Sequence, residues 1–516
     1  MERISRFTPW ATPCDQLERV FVARRRFLDD LLISVRTSID TVSRRQTLVI
    51  GPRGSGKTHL LALLYCEAQK MIDDGARLQI ARLPEDPWGI VSYQHLLAAI
   101  SVALGDHEPG DYRDHEARLE RRYNQSGVIV VLVENLDQIF DQIGTQGQRL
   151  LRHFLQTTPT LLLIATTPRV GPSIHLQTSP FMGYFSMIRL SELTMDEACQ
   201  LVRNLAQLRG DQTLLDQLDQ PSARRRLAAM AQLGGNQPRW WVTLGQSLTA
   251  TSIQDLAEAL VENADELSPL YQDRLRALSV QQRQVVVELA QAGCALHVQE
   301  LARRLGMLPT SVARTLTELR DLSWVSKLVT PWDAHLDKRR SYYELAEPLS
   351  AMALQIKRVS PDTWRAVVDF LVRWYDPDDA SGWRAGSPAR PGDIELLGQT
   401  EDALAALARR DATQMMGLPS PVRVALQRRW DELVAAGDTR PELAIRCAIH
   451  DDAQCLVTDH QAQPEPDKWI ARAESMAEHF PADPAAVTRW ARWLATYDQE
   501  DAAEAVLTII HPPTWH

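Results

Sequence analysis

The run Gly51-Pro-Arg-Gly-Ser-Gly-Lys57-Thr58 decides the fold; it follows the apolar stretch Thr47-Leu-Val-Ile50 and leads into a helical pattern over residues 59–68. It satisfies G-x-x-x-x-G-K-[ST] at every fixed position and has the flanking strand and helix that the motif requires. Small residues let the backbone curl so that successive amides face one polyphosphate. The N-terminus of the following helix adds positive potential. Gly51, Pro52, Arg53, Gly54, Ser55, Gly56, Lys57, Thr58 and His59 are therefore expected to hold a nucleoside triphosphate. Lys57 supplies a charge for the β- and γ-phosphates and Thr58 a hydroxyl for magnesium, so ATP and Mg2+ are the expected cofactors.

Outward from this loop, residues 46–190 alternate short apolar runs with helical patterns, as a mostly parallel sheet covered by helices does. Strands are predicted at 46–50, 77–82, 128–133, 160–166 and 185–190. The third, Val128-Ile-Val-Val-Leu-Val133, is apolar without alternation, as a strand buried on both faces is. It ends in Glu134-Asn135-Leu136-Asp137, where a magnesium-holding carboxylate belongs. Glu134 can hold the metal's water shell, whereas Asn135 cannot accept a proton from an attacking water, so hydrolysis is expected to be slow. Asp137 either compensates for Asn135 or caps the next helix.

Length and composition bound the rest. At 516 residues the chain suggests about three domains. Its 45% hydrophobic and 24% charged residues are ordinary for globular domains. A formal charge of −10 does not advertise nucleic-acid binding, although a basic face can hide in such an average. The six cysteines form no CxxC pair and are expected to be reduced thiols. No apolar leader and no stretch near the ~20 residues of a membrane span is found. A cytoplasmic protein without membrane attachment is expected.

These motifs together resemble the AAA+/STAND class of P-loop ATPases, in particular archaeal origin-recognition initiators and archaeal winged-helix ATPases, over roughly residues 15–350. Phe21-Val-Ala-Arg24-Arg25 is similar to the V-G-R-E element that lines the adenine site, with Ala23 for glycine and Arg25 for the acid. In Leu161-Leu-Leu-Ile-Ala-Thr166-Thr167-Pro-Arg169 the resemblance implies a sensor at Thr166 or Thr167 that orients water, with Arg169 as a phosphate or inter-subunit contact. Leu233-Gly-Gly-Asn-Gln-Pro-Arg239 resembles G-G-N-P-R with Gln237 inserted, which implies that Arg239 reaches the γ-phosphate from a helical lid. The catalytic set on this reading is Lys57, Glu134, Asn135 and Thr167, with Thr58 and Glu134 at the metal.

Residues 280–346 carry a second pattern: helices at 284–292, 297–305 and 310–322, then β-prone runs at 324–329 and 341–345. Three helices and a hairpin make a winged helix-turn-helix. Thr310, Ser311, Arg314 and Thr317 would line the exposed face of its third helix, with Lys327, Lys338, Arg339 and Arg340 near backbone phosphates of duplex DNA. Nine Lys/Arg against seven Asp/Glu over 281–346 leave only +2, so docking of a protein stays open beside DNA binding.

The expected fold class is thus an α/β P-loop NTPase core with a parallel five-stranded sheet (1–193) and a helical lid (194–270). A winged helix (271–350) and an all-α C-terminal region (351–516) follow. That last region has no catalytic constellation, with His450, His460 and His479 scattered. Eight of the fourteen tryptophans lie beyond residue 360; they read as core, or as anchors for a protein partner. Two functions remain: a nucleotide-switched DNA-associated ATPase, and a STAND-type sensor that forms homo-oligomers with ATP.

Overall fold

Every residue of β3 (Val128–Val133) is buried, because the strand lies inside a parallel sheet covered on both faces. The computed structural model describes residues 9–168, 179–250, 278–322, 324–336, 340–346 and 409–436, with scattered positions elsewhere. β1 (Thr47–Ile50), β2 (Leu78–Arg82), β4 (Leu161–Thr167) and β5 (Ser186–Arg189) complete the sheet in the order β2-β3-β4-β1-β5. All four pairings are parallel.

Alternate residues of β3 enter different cores. Val128, Val130 and Leu132 pack with α1 (Cys14–Arg19), α2 (Arg25–Asp40) and α3 (Lys57–Asp73). Ile129, Val131 and Val133 pack with α4 (Tyr93–Ala103), α5 (Tyr112–Ser126) and α6 (Leu136–Thr157). Full burial of each such side chain is worth roughly 1.5–3 kcal/mol, so both faces of the strand hold the sheet in place.

Helices α7 (Met195–Arg209), α8 (Gln212–Leu218), α9 (Pro221–Gly234) and α10 (Pro238–Ser247) follow the sheet. Thr194 and Glu197 form a capping box at the start of α7, a device worth about 1 kcal/mol. Contacts divide the chain into one unit of residues 1–215 with 236–246 and another of 216–235 with 247–516. Residues 251–270 of the expected lid lie outside the described residues.

In the second unit, α11 (Val280–Ala292), α12 (Val298–Leu305) and α13 (Pro309–Asp321) precede β7 (Val325–Lys327) and β8 (Tyr342–Leu345). A two-residue β6 (Leu296–His297), absent from the sequence reading, joins them in an antiparallel sheet of order β6-β8-β7. Gly306 makes the turn between α12 and α13 at φ 63°, a conformation that favours glycine. This is the winged-helix arrangement. Two further helices, α14 (Thr413–Met416) and α15 (Ser420–Ala435), belong to the same unit. Buried Arg423 of α15 pairs with buried Glu344 of β8. Most of 351–516 lies outside the described residues.

One expectation is corrected. Cys14 and Cys66 are not thiols but form a disulfide, with Cα atoms 6.0 Å apart. Packing of α1 against α3 brings together residues separated by 52 positions, a proximity that no local spacing signals. Cys199 and Cys294 are not disulfide-bonded, while Cys447 and Cys455 lie outside the described residues.

A candidate nucleotide site at the strand ends

β1, β3 and β4 end at the same edge of the sheet, where the Gly51 N–H donates to the Thr167 carbonyl at 3.2 Å. In open parallel sheets, ligands bind at this carboxyl edge. Gly54 and Gly56 both adopt φ 86°, so the loop turns in a conformation that side chains rarely take. A Cβ on Gly51 would lie 2.6 Å from Ser55 Oγ, and one on Gly54 3.1 Å from Arg239 Cβ. Only glycine fits this cradle without displacement. The buried Ser55 Oγ has no hydrogen-bond partner among the described residues.

Lys57, only 9% exposed, begins α3. Its ammonium donates to the carbonyls of Gly51 at 2.6 Å and Pro52 at 3.0 Å. Burial brings its pKa down to about 8, against an opposing pull from Glu134. The Thr58 hydroxyl donates to Glu134 Oε2. The other carboxylate oxygen accepts the Trp10 indole N–H at 2.7 Å. The Arg82 guanidinium lies 4.6 Å over the Trp10 ring.

Beyond Glu134 the backbone turns through Asn135, which takes a left-handed conformation at φ 51° and ψ 49°. Its side-chain amide donates to the Glu85 carbonyl at 3.1 Å. Thr167 donates its hydroxyl to Asp137 Oδ1 at 3.1 Å, and Thr166 Oγ1 accepts the Asn135 N–H at 3.4 Å. Of the two sensor candidates, Thr167 thus touches a carboxylate and Thr166 the backbone. Arg169 lies outside the described residues.

Arg239 sits at the start of α10, where its N–H donates to the Gly54 carbonyl at 3.1 Å. The inserted Gln237 does not carry it away; Gln237 instead donates to Glu192 at 3.1 Å. Buried Arg24 donates to the carbonyls of Ser55 and, at 2.9 Å, Ser191. Burial lowers its pKa to about 10, partly countered by Glu197. Ala23 adopts φ 66°. The His59 ring stacks on Phe21 at 5.6 Å and lies 3.0 Å from the Leu17 carbonyl. Its pKa falls to about 4, first through burial, so the ring is neutral near pH 7.

No family model matches the sequence, and no curated protein matches it. Among solved structures, the ORC2 protein of Aeropyrum pernix, determined as ADPNP–ADP complexes, is similar at 14% identity and a TM-score of 0.50. The match covers 68% of this chain and 94% of that one. A Walker-type ATPase of Pyrococcus abyssi is similar at 15% identity and a TM-score of 0.48, over 65% of this chain and 96% of its own. The Aeropyrum pernix ORC1 protein in complex with DNA gives 15% identity, a TM-score of 0.42 and coverages of 66% and 94%.

The fold is similar to that of the Aeropyrum pernix ORC2 protein.

Within this fold, Gly51 to Thr58, Glu134, Asn135, Thr167 and Arg239 fall at one sheet edge. Sequence reasoning missed Trp10 and Glu85, and weighed Arg24 only through a family motif. Glu85 follows β2 in Leu83-Pro-Glu-Asp-Pro87, and its place after a strand was the one available signal. Nothing local marks Trp10. In the winged helix, Thr310, Arg314 and Thr317 are exposed on α13, Ser311 is half-buried, and Lys327 and Arg340 are exposed. Arg314 pairs with Glu318 at 3.0 Å on the same helix. Lys338 and Arg339 lie outside the described residues. No helix among the described residues is long and apolar enough to cross a membrane.

Proposed function

We propose that this chain is an ATP-dependent switch that hydrolyses slowly and associates with duplex DNA through its winged helix. One observation carries the reading: the Arg239 amide, at the first turn of α10, is hydrogen-bonded to the Gly54 carbonyl of the phosphate loop. A side chain there would report whether a γ-phosphate is present.

The residues fit ATP and magnesium. The phosphate loop packs so closely on Ser55, Arg239 and Arg24 that Cβ atoms at Gly51, Gly54 and Gly56 would strike them, and Ser55 offers a buried hydroxyl with no hydrogen-bond partner among the described residues. Magnesium is held by one or two protein oxygens together with substrate phosphates, which suits Thr58 and Glu134. Magnesium, when bound, neutralises charge between the β- and γ-phosphates. Lys57 would exchange its two backbone carbonyls for phosphate oxygens. Trp10 holds one oxygen of Glu134 and leaves the other toward Thr58. Arg24 braces the loop through the Ser55 carbonyl.

Support for DNA association is the exposed face of α13 with Thr310, Arg314 and Thr317, flanked by Lys327 and Arg340. Gel-shift titration of duplex DNA at low salt, with and without Mg·ATP, tests it. Nucleotide-dependent affinity is expected, and absence of binding in both states would sink the reading. The pairing of Arg314 with Glu318 favours a second reading, in which α13 docks a protein and ATP drives STAND-like homo-oligomerisation. Size-exclusion chromatography of the wild type and Lys57→Ala with ATP separates the two, since assembly without DNA affinity supports only the second.

A further inference from the structure

We propose that Glu85, just beyond β2, is the carboxylate that takes the proton from the attacking water, in the role that Asn135 cannot fill. The inference rests on the ATP-hydrolysis reading above and adds a catalytic residue to it.

Sheet topology brings Glu85 to the site. β2 runs parallel beside β3 with Arg82 opposite Leu132, and the Leu83 N–H donates to the Leu132 carbonyl at 3.0 Å. Two residues later the chain passes the end of β3, where Asn135 Nδ2 holds the Glu85 carbonyl at 3.1 Å. The amide at the usual catalytic position is thus a clamp on the backbone that carries a carboxylate.

The charges acting on that carboxylate come from separate segments. Glu134 directly follows β3, Arg53 lies in the phosphate loop and Arg239 lies in the first turn of α10. These segments converge at the phosphate loop and the strand end beside it. Although the residue as a whole is exposed, its carboxyl is raised above the ordinary range, first by partial burial, then by Glu134 and Asp86, against Arg239 and Arg53. A carboxylate of raised basicity is a better proton acceptor. It accepts no hydrogen bond from any described residue, whereas Asp137, the other candidate, already accepts the Thr167 hydroxyl at 3.1 Å.

In the step, a water O–H bond breaks and its proton passes to Glu85. The water oxygen bonds to the γ-phosphorus as the bond from that phosphorus to the β,γ-bridging oxygen breaks. The electron pair leaves on ADP, and Glu85 returns the proton to the phosphate released.

The test uses the full chain as wild type, Glu85→Gln and Asp137→Asn. Three quantities are read: affinity for Mg·ATP, single-turnover phosphate release, and the identity of the nucleotide still bound after desalting. Glu85→Gln is expected to keep affinity within roughly threefold while hydrolysis falls by about 100-fold or more. It should retain ATP where the wild type yields ADP, and Asp137→Asn should lose less activity. Wild-type turnover in Glu85→Gln would overturn the assignment, as would a greater loss in Asp137→Asn. A wild type that binds ATP but never converts it also overturns it. No ATP binding in the wild type would refute the functional reading itself, through the affinity measurement.

Discussion

Replacing Lys57 by methionine is expected to stabilise the nucleotide-free protein while abolishing its response to ATP. The residue is 9% exposed and its pKa is brought from 10.5 to about 8, chiefly by burial. At 1.36 kcal/mol per pH unit this depression corresponds to roughly 3 kcal/mol against the charged folded form. Because the folded pKa lies below the unfolded one, the unfolded chain binds more protons between the two values. Wild-type stability therefore rises with pH from about 8 to 10.5 and is lowest, from this cause, below that window. Methionine removes the charge but leaves the Gly51 and Pro52 carbonyls each without a hydrogen bond worth about 1 kcal/mol. The net gain at pH 7 is about 1 kcal/mol, or about 2–4 °C for a unit of this size. Nucleotide binding moves the other way. A unit charge about 4 Å from a phosphate at an effective dielectric of about 20 contributes about 4 kcal/mol, so affinity should fall roughly a thousandfold. Urea denaturation at pH 7 and pH 10.5, with and without Mg·ATP, reads both effects. A variant less stable than wild type by over about 1 kcal/mol, or one whose midpoint still shifts with ATP, would refute the reasoning.

Two further expectations concern stability. Arg423→Met leaves Glu344 buried without its cation and should cost about 3–5 kcal/mol in urea denaturation; the double variant with Glu344→Gln should recover much of that loss. Reduction of Cys14–Cys66, which closes a separation of 52 residues, should cost about 4 kcal/mol by the loop-entropy relation. Thermal melts with and without reductant should show the drop, and Cys14→Ser should show no effect of reductant.

Much of the core was legible because its signals are local. A P-loop has invariant chemistry at fixed spacing, and the buried strand 128–133 is a continuous apolar run. The third helix of the winged helix was read as 310–322 and is observed as Pro309–Asp321. β6 escaped because two residues carry no periodicity. Cys14 and Cys66 were misread because the absence of a CxxC pair says nothing of a distance that only the packing of α1 on α3 supplies.

Residue order alone determined the phosphate loop, the parallel sheet and the winged helix, since hydrogen-bonding geometry and hydrophobic period act over a few neighbours. Tertiary structure decided which distant groups share the site: Trp10 on Glu134 across 124 positions, Arg24 on Ser55 across 31, and Asn135 on Glu85 across 50. Such pairs follow from strand order and from helices packed on the sheet. Those arrangements minimise the free energy of the whole core, and no window of sequence contains it.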